Sequence, residues 1–255
     1  MDDLASRPAF RLRGAQITRL ETFVDAAFAF AATMLVIAFD ALPQTFAELY
    51  DALRRVPTFV LCFALLMLFW LAHNRWSRRF GLEDTWSTLL SLALVLIVMI
   101  YMYPLRMIIS GALHLFSGGW VPEELAFTPG GEAIELQLAF MVYSVGFGLL
   151  ALLVVLLNRH ALRHAETLAL SPYERAETRT EIGVHGIMAA SAVLSVAVSA
   201  GFLLGTSGGD RMQWYHALPM WVYCLLSIAI PVYAVRRDRL KHGLSAADAR
   251  PAPEP

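Results

Sequence analysis

The sequence predicts an all-α integral membrane protein with six transmembrane helices, on three observations. The chain of 255 residues is 58% hydrophobic and 16% charged, where a soluble domain averages about 45–50% and about 25%. Its apolar residues gather in six stretches, near 18–41, 56–74, 85–112, 135–158, 182–205 and 214–235. Each is long enough to cross ~30 Å of hydrocarbon at ~1.5 Å per residue. Finally, 16 of the 20 basic residues fall on one side of the topology that six spans impose, the side expected to face the cytoplasm.

The first span opens as "RLETFVD", with Arg19, Glu21 and Asp25 at its entry. An ionisable group in a lipid-facing helix costs at least ~2.5 kcal/mol, so such groups usually face protein or a watery path. Arg19 and Asp25 are six positions apart, about 240° around an ideal helix, so they do not share a face. Beyond them Phe30, Thr33, Met34, Ile37 and Asp40 recur at three- and four-residue spacing. On pattern alone that stripe reads as ordinary core.

The segment "FAELYDALRRVP" has the periodicity of a short interfacial helix leading into Pro57 and the second span. That span returns to the arginine-rich side through "FWLAHNRWSRRF", which places Trp70 and His73 one turn apart at the depth of Arg19 and Asp25. His73 reads first as a hydrogen-bonded packing residue, with pH sensing as the sharper alternative. Pro104 sits late in the third span, where it is expected to kink or end the helix. The following loop, "HLFSGGWVPEELAFTPGGEAIE", has four Glu and no Arg or Lys, as an external loop would.

The arginine-rich side collects Arg7, Arg11, Arg13 and Arg19, then Arg75, Arg78 and Arg79, then Arg159, Arg163, Arg175 and Arg179, and finally five basic residues of the tail. The other side has Arg54, Arg55 and Arg211, and Arg106 lies within the third span. Both termini are therefore expected in the cytoplasm. Residues 1–17 read as a cytoplasmic arm, 18–236 as one six-helix unit, and 237–255, ending "SAADARPAPEP", as a disordered tail. Nineteen Arg against one Lys suggest a GC-rich bacterial genome, hence a bacterial inner membrane. The N-terminus lacks the pattern of a cleaved leader.

Several chemistries lack a seat in the pattern. Cys62 and Cys224 lie in apolar runs and read as small hydrophobes, with no disulfide frame or zinc spacing. No Ser/His/Asp grouping, phosphate-cradling glycine loop or paired intramembrane carboxylates occur, so no enzyme is expected. Basic patches for nucleic acid are missing. His160 and His164 in "HALRH" have an i, i+4 spacing that can share a metal, but the remaining histidines are scattered, and the pair reads as part of a solvated face.

Arg19, Phe23 and Asp25 in "RLETFVD" resemble the R-x-x-x-F-S-D signature that opens helix 1 in the transmembrane protein 175 family of lysosomal and prokaryotic potassium channels. The six spans, the cytoplasmic termini, "WLAH" at the end of helix 2 and Pro104 are similar as well, over roughly residues 15–236. The resemblance implies a homotetramer in which four copies of helix 1 line a pore without a re-entrant filter loop. The filter motif Thr-Val-Gly-Tyr-Gly is indeed missing from the chain. By offset from Asp25, the resemblance puts the main constriction on Phe30, a hydroxyl ring on Thr33, further apolar layers on Met34 and Ile37, and Asp40 in the outer vestibule.

It further implies a gating network of Arg19, Phe23, Asp25, Trp70 and His73. Potassium would be the permeant ion, with membrane lipid as the surroundings and no cofactor or resident metal. Two positions depart from the family pattern: Val24 replaces the motif serine, and Phe30 replaces a branched aliphatic residue. The alternative is a proton-coupled transporter using Asp25 and His73. The sequence lacks the inverted repeat and paired broken helices common in such carriers.

Overall fold

The computed structural model describes residues 10–37, 43–205 and 213–248, with backbone alone at 36–37 and 239–248. The described residues form eight α-helices and one 3-10 turn: α1 (Arg19–Ile37), α2 (Phe46–Arg54), α3 (Val56–Phe80), α4 (Thr85–Phe116), α5 (Glu132–Arg163), α6 (Pro172–Gly205), the turn Trp214–Ala217, α7 (Leu218–Cys224) and α8 (Leu226–Asp248). No strand occurs among them.

Five described stretches are long and apolar enough to cross a membrane: Phe46–Phe80, Thr85–Phe116, Glu132–Arg163, Pro172–Gly205 and Trp214–Asp238. The described part of α1 has 19 residues, about 28 Å of helix, and its expected continuation to residue 41 lies outside the described residues. No more than half of any of the five apolar windows is buried, from 11% in the last to 50% in Glu132–Arg163. Side chains such as Leu96, Ile100, Val142 and Val145 point outward. In water that would be a large liability. In hydrocarbon it is the expected surface of a helical bundle.

The bundle core joins one face of α1 to α3, α4 and α5. Val24, Phe28, Ala31 and Leu35 pack with Cys62, Leu66 and Phe69 of α3, Leu94, Val98 and Leu105 of α4, and Phe140 and Phe147 of α5. The α5–α6 pair is the most extensive packing, with α7 and α8 against α6. Small residues allow that approach: a Cβ on Gly148 would come within 2.9 Å of Ala192, and Ser144 and Ser195 hydrogen-bond across the pair at 2.9 Å. Small residues and interhelical hydroxyls serve membrane helices well, because apolar side chains alone gain little by leaving lipid.

The arginine-rich end has its own small core of Trp76, Phe80, Leu157, Ala161, Ala165 and Leu170, with Phe10 of the arm packed on it. Arg13 forms a paired contact with Glu174 (2.8 and 3.0 Å), and Arg79 lies 4.8 Å above the Phe10 ring. Gly81 ends α3 with φ of 59°. Beside it Gly14 lies so close that a Cβ would sit 2.6 Å from the Ser77 carbonyl oxygen.

Several boundaries differ from expectation: α3 runs on to Phe80 and α5 covers Glu132–Arg163, while the sixth span is divided into the 3-10 turn, α7 and α8. α6 begins at Pro172 rather than 182, because its polar first turns are tied to the arm and to Arg75 and Arg79. α4 continues through Pro104 to Phe116, its Tyr101, Met102, Leu105 and Ile108 held in the core on both sides of the proline. α8 extends to Asp248, so the first part of the expected tail is helical.

Candidate functional site: the outer face of α1

α1 starts with a reciprocal cap. Glu21 N–H donates to Thr18 Oγ1 (3.1 Å), and Thr18 N–H donates to the Glu21 carboxylate (3.2 Å). The pattern Thr-x-x-Glu is the sequence signature of this cap, so the buried Glu21 carboxylate is engaged in starting the helix. Arg78 approaches the same carboxylate at 4.0 Å.

The two long faces of the helix then diverge. Phe28 is 1% exposed and Phe30 is 52% exposed, two residues along the same helix. Phe23, Phe30 and Thr33 stand on the side turned away from this chain's core, with Arg19, Ala26 and Ala29 also exposed. The spacing is three and four residues, so they line one continuous strip. Met34 lies between the faces, partly buried against the core. The side chain of Ile37 and all of Asp40 lie outside the described residues. Thr33 Oγ1 donates to the Ala29 carbonyl at 2.9 Å. With its proton committed to the helix, that oxygen can present only acceptor lone pairs outward.

Asp25 and His73 have different partners. Trp70 Nε1–H donates to Asp25 Oδ1 at 2.8 Å, tying α1 to α3. His73 is buried, and its Nε2 lies 2.9 Å from Ser91 Oγ on α4. Ser91 gives its own proton to the Ser87 carbonyl (2.8 Å), so it accepts from His73 Nε2–H and fixes that tautomer. Val24, where the family signature has serine, is fully buried in the apolar core. A methyl-bearing side chain suits that site without an unsatisfied hydroxyl.

Another anchor holds the far end of α1. Arg106 donates to the Leu35 carbonyl at 2.9 Å and to both Glu124 oxygens, the Nη2 contact at 2.7 Å. Glu124 N–H also donates to Ser110 Oγ (3.2 Å). Arg106 thus ties the last turn of α1, α4 and the glutamate-rich loop together. Its partners are far away or across a loop in the chain. The only early signal was a charged residue inside an apolar span.

His160 lies in the last turn of α5, and His164 caps the helix at its C-terminus. His160 Nε2 lies 2.7 Å from Asp84 Oδ2, while Asp84 Oδ1 caps α4 by accepting from Ser87 N–H (2.9 Å). Partial burial pushes the Asp84 carboxyl upward, but the hydrogen bonds from His160 and Ser87 outweigh it and hold the group below its usual value.

A family model described as "Endosomal/lysosomal potassium channel TMEM175" matches residues 19–104, from the first residue of α1 to Pro104. A "Potassium channel" from the bacterium Marivirga tractuosa is 31% identical over 194 residues, 75% of this chain and 78% of the relative. The crystal structure of a variant of the potassium channel MtTMEM175, in complex with a nanobody–MBP fusion protein, superposes with a TM-score of 0.75 at 27% identity. That match covers 91% of this chain and 98% of the other. These proteins are ion channels, not enzymes. The chain belongs to the TMEM175 potassium channel family.

Proposed function

We propose that the protein is a potassium-preferring cation channel of a bacterial inner membrane, in which four copies of α1 surround a pore. The observation that carries this reading is the outer strip of α1. A helix anchored at both ends, with one apolar face fully packed, leaves Phe23, Phe30 and Thr33 uncovered by its own chain. Thr33 adds a hydroxyl oxygen to that strip, and the family's relatives are named as potassium channels.

In this reading Phe30 forms the narrowest layer. Four phenyl rings around an axis exclude water, and an ion loses its hydration shell to pass; a small outward movement of α1 rewets the passage. Thr33 offers a ring of acceptor oxygens that partly replaces the lost shell. K⁺ is favoured over Na⁺ because it gives up water at lower cost. Met34 and Ile37 add apolar layers, and Asp40 with the loop glutamates concentrates cations at the outer mouth. Arg19, Phe23, Asp25 and Trp70 hold the inner end of α1, and His73 braces α3 on α4. Both termini face the cytoplasm, as the arginine distribution requires.

The reading is tested by K⁺ flux in proteoliposomes. Passive K⁺ flux down its gradient, a larger leak in Phe30→Ala and a lower K⁺/Na⁺ ratio in Thr33→Ala are expected. Flux that requires a proton gradient and ignores both substitutions would instead support a carrier.

A further inference from the structure

At the arginine-rich end, away from α1, three ligand-type side chains converge that the proposed channel does not use. One ligating atom each of Asp84, His160 and His164 lies within 4.8 Å of the other two. His160 in the last turn of α5 and His164 at its C-cap stand side by side, their ring centroids 4.6 Å apart. Asp84 comes from the turn between α3 and α4, brought beside them by the fold. We propose that Asp84, His160 and His164 form a binding site for one zinc-class divalent cation, completed by water.

The chemistry and geometry of these side chains support the assignment. The donor set, two imidazoles and a carboxylate, suits borderline cations such as Zn²⁺ rather than Mg²⁺ or Ca²⁺, which take oxygen ligands. His164 is already oriented, its Nδ1 hydrogen-bonded to the His160 carbonyl at 3.1 Å, which leaves Nε2 as the free lone pair. Metal-binding histidines are commonly held this way. Asp84 is pinned through Oδ1 by the Ser87 amide, leaving Oδ2 for the cation.

The required movement is small as well. His160 Nε2 and Asp84 Oδ2 are already 2.7 Å apart. A tetrahedral cation at about 2.0–2.1 Å from each needs them slightly farther apart, with His164 drawn in. The proton shared with Asp84 leaves Nε2, and His160 binds as the Nδ1–H tautomer. Asp84 is 39% exposed at its side chain and His160 is 11% exposed, so solvent reaches the position a water ligand would fill. The bound cation would clamp the α3–α4 turn to the end of α5, over the small core on which Phe10 of the arm rests.

The test is Zn²⁺ titration of the purified, chelator-stripped full chain against a chromophoric competitor, with Co²⁺ absorption as a second readout. One Zn²⁺ per chain and a tetrahedral Co²⁺ spectrum are expected. Asp84→Asn keeps the helix cap, since Asn caps as well as Asp, and should weaken binding at least about tenfold, as should His164→Gln. His114→Gln, in the loop-side part of α4, should change nothing. Uptake unaffected by the first two substitutions, or equal displacement by Mg²⁺, overturns the assignment; so does failure to bind by chain that remains folded by circular dichroism. None of these outcomes depends on ion flux.

Discussion

The two long faces of α1 both carry phenylalanines and have opposite fates. Val24, Phe28, Ala31 and Leu35 are buried to 2% exposure or less, whereas Phe23 and Phe30 remain about half exposed. Periodicity finds both stripes and cannot rank them, because in a membrane the outside of the bundle is also apolar. What separates the two faces is the chemistry at their ends. The buried face carries its own anchors, the Thr18–Glu21 cap and the Arg106 grip on Leu35, while the outer face carries the exposed Thr33, its hydroxyl bonded to the Ala29 carbonyl.

The comparison breaks most visibly on the buried side. Phe28→Ala should destabilise the protomer by about 3–5 kcal/mol, read as a fall in the detergent unfolding midpoint, whereas Phe30→Ala should cost less than about 1 kcal/mol. Equal losses would mean that both faces are packed. Arg106→Met leaves the partly buried Glu124 with only the longer contact to Arg55 at 4.0 Å and should cost about 1.5–3 kcal/mol through the lost charged hydrogen bonds, with much of the loss recovered when Glu124→Gln is added. Trp70→Phe removes one hydrogen bond to an exposed carboxylate and should cost about 1 kcal/mol. Thr18→Ala should cost about as much or slightly less through loss of the cap, with hydrogen exchange rising first in the initial turn of α1.

Much of the architecture was legible in hydropathy, because spans are defined by solvent and length. The ends of the spans were not. α6 reaches back to Pro172 because Glu174, Glu177 and Glu181 find arginine partners on the arm and on α3, and such pairs are invisible to a window average. The Thr18–Glu21 cap was readable at three-residue spacing, whereas depth only placed Trp70 and His73 level with Arg19 and Asp25, and the fold pairs Trp70 with Asp25. Arg106–Glu124 and Asp84–His160 needed the fold, since each pair is separated by a loop or by whole helices. The histidine pair of α5 looked isolated in the sequence because its third neighbour is supplied by tertiary structure alone.

The central claim is that the outer face of α1 meets water and the permeating ion. It is tested most directly by cysteine substitution followed by a water-soluble, charged thiol reagent. Cys224 is exposed and Cys62 buried, so the background carries Cys224→Ser. Thr33→Cys should be modified and K⁺ flux in proteoliposomes should fall on modification, while Leu35→Cys, on the buried face, should remain unreacted and conduct as before. Modification of Leu35→Cys in preference to Thr33→Cys, or a Thr33→Cys protein whose flux is unchanged once fully modified, would contradict a pore lined by that face.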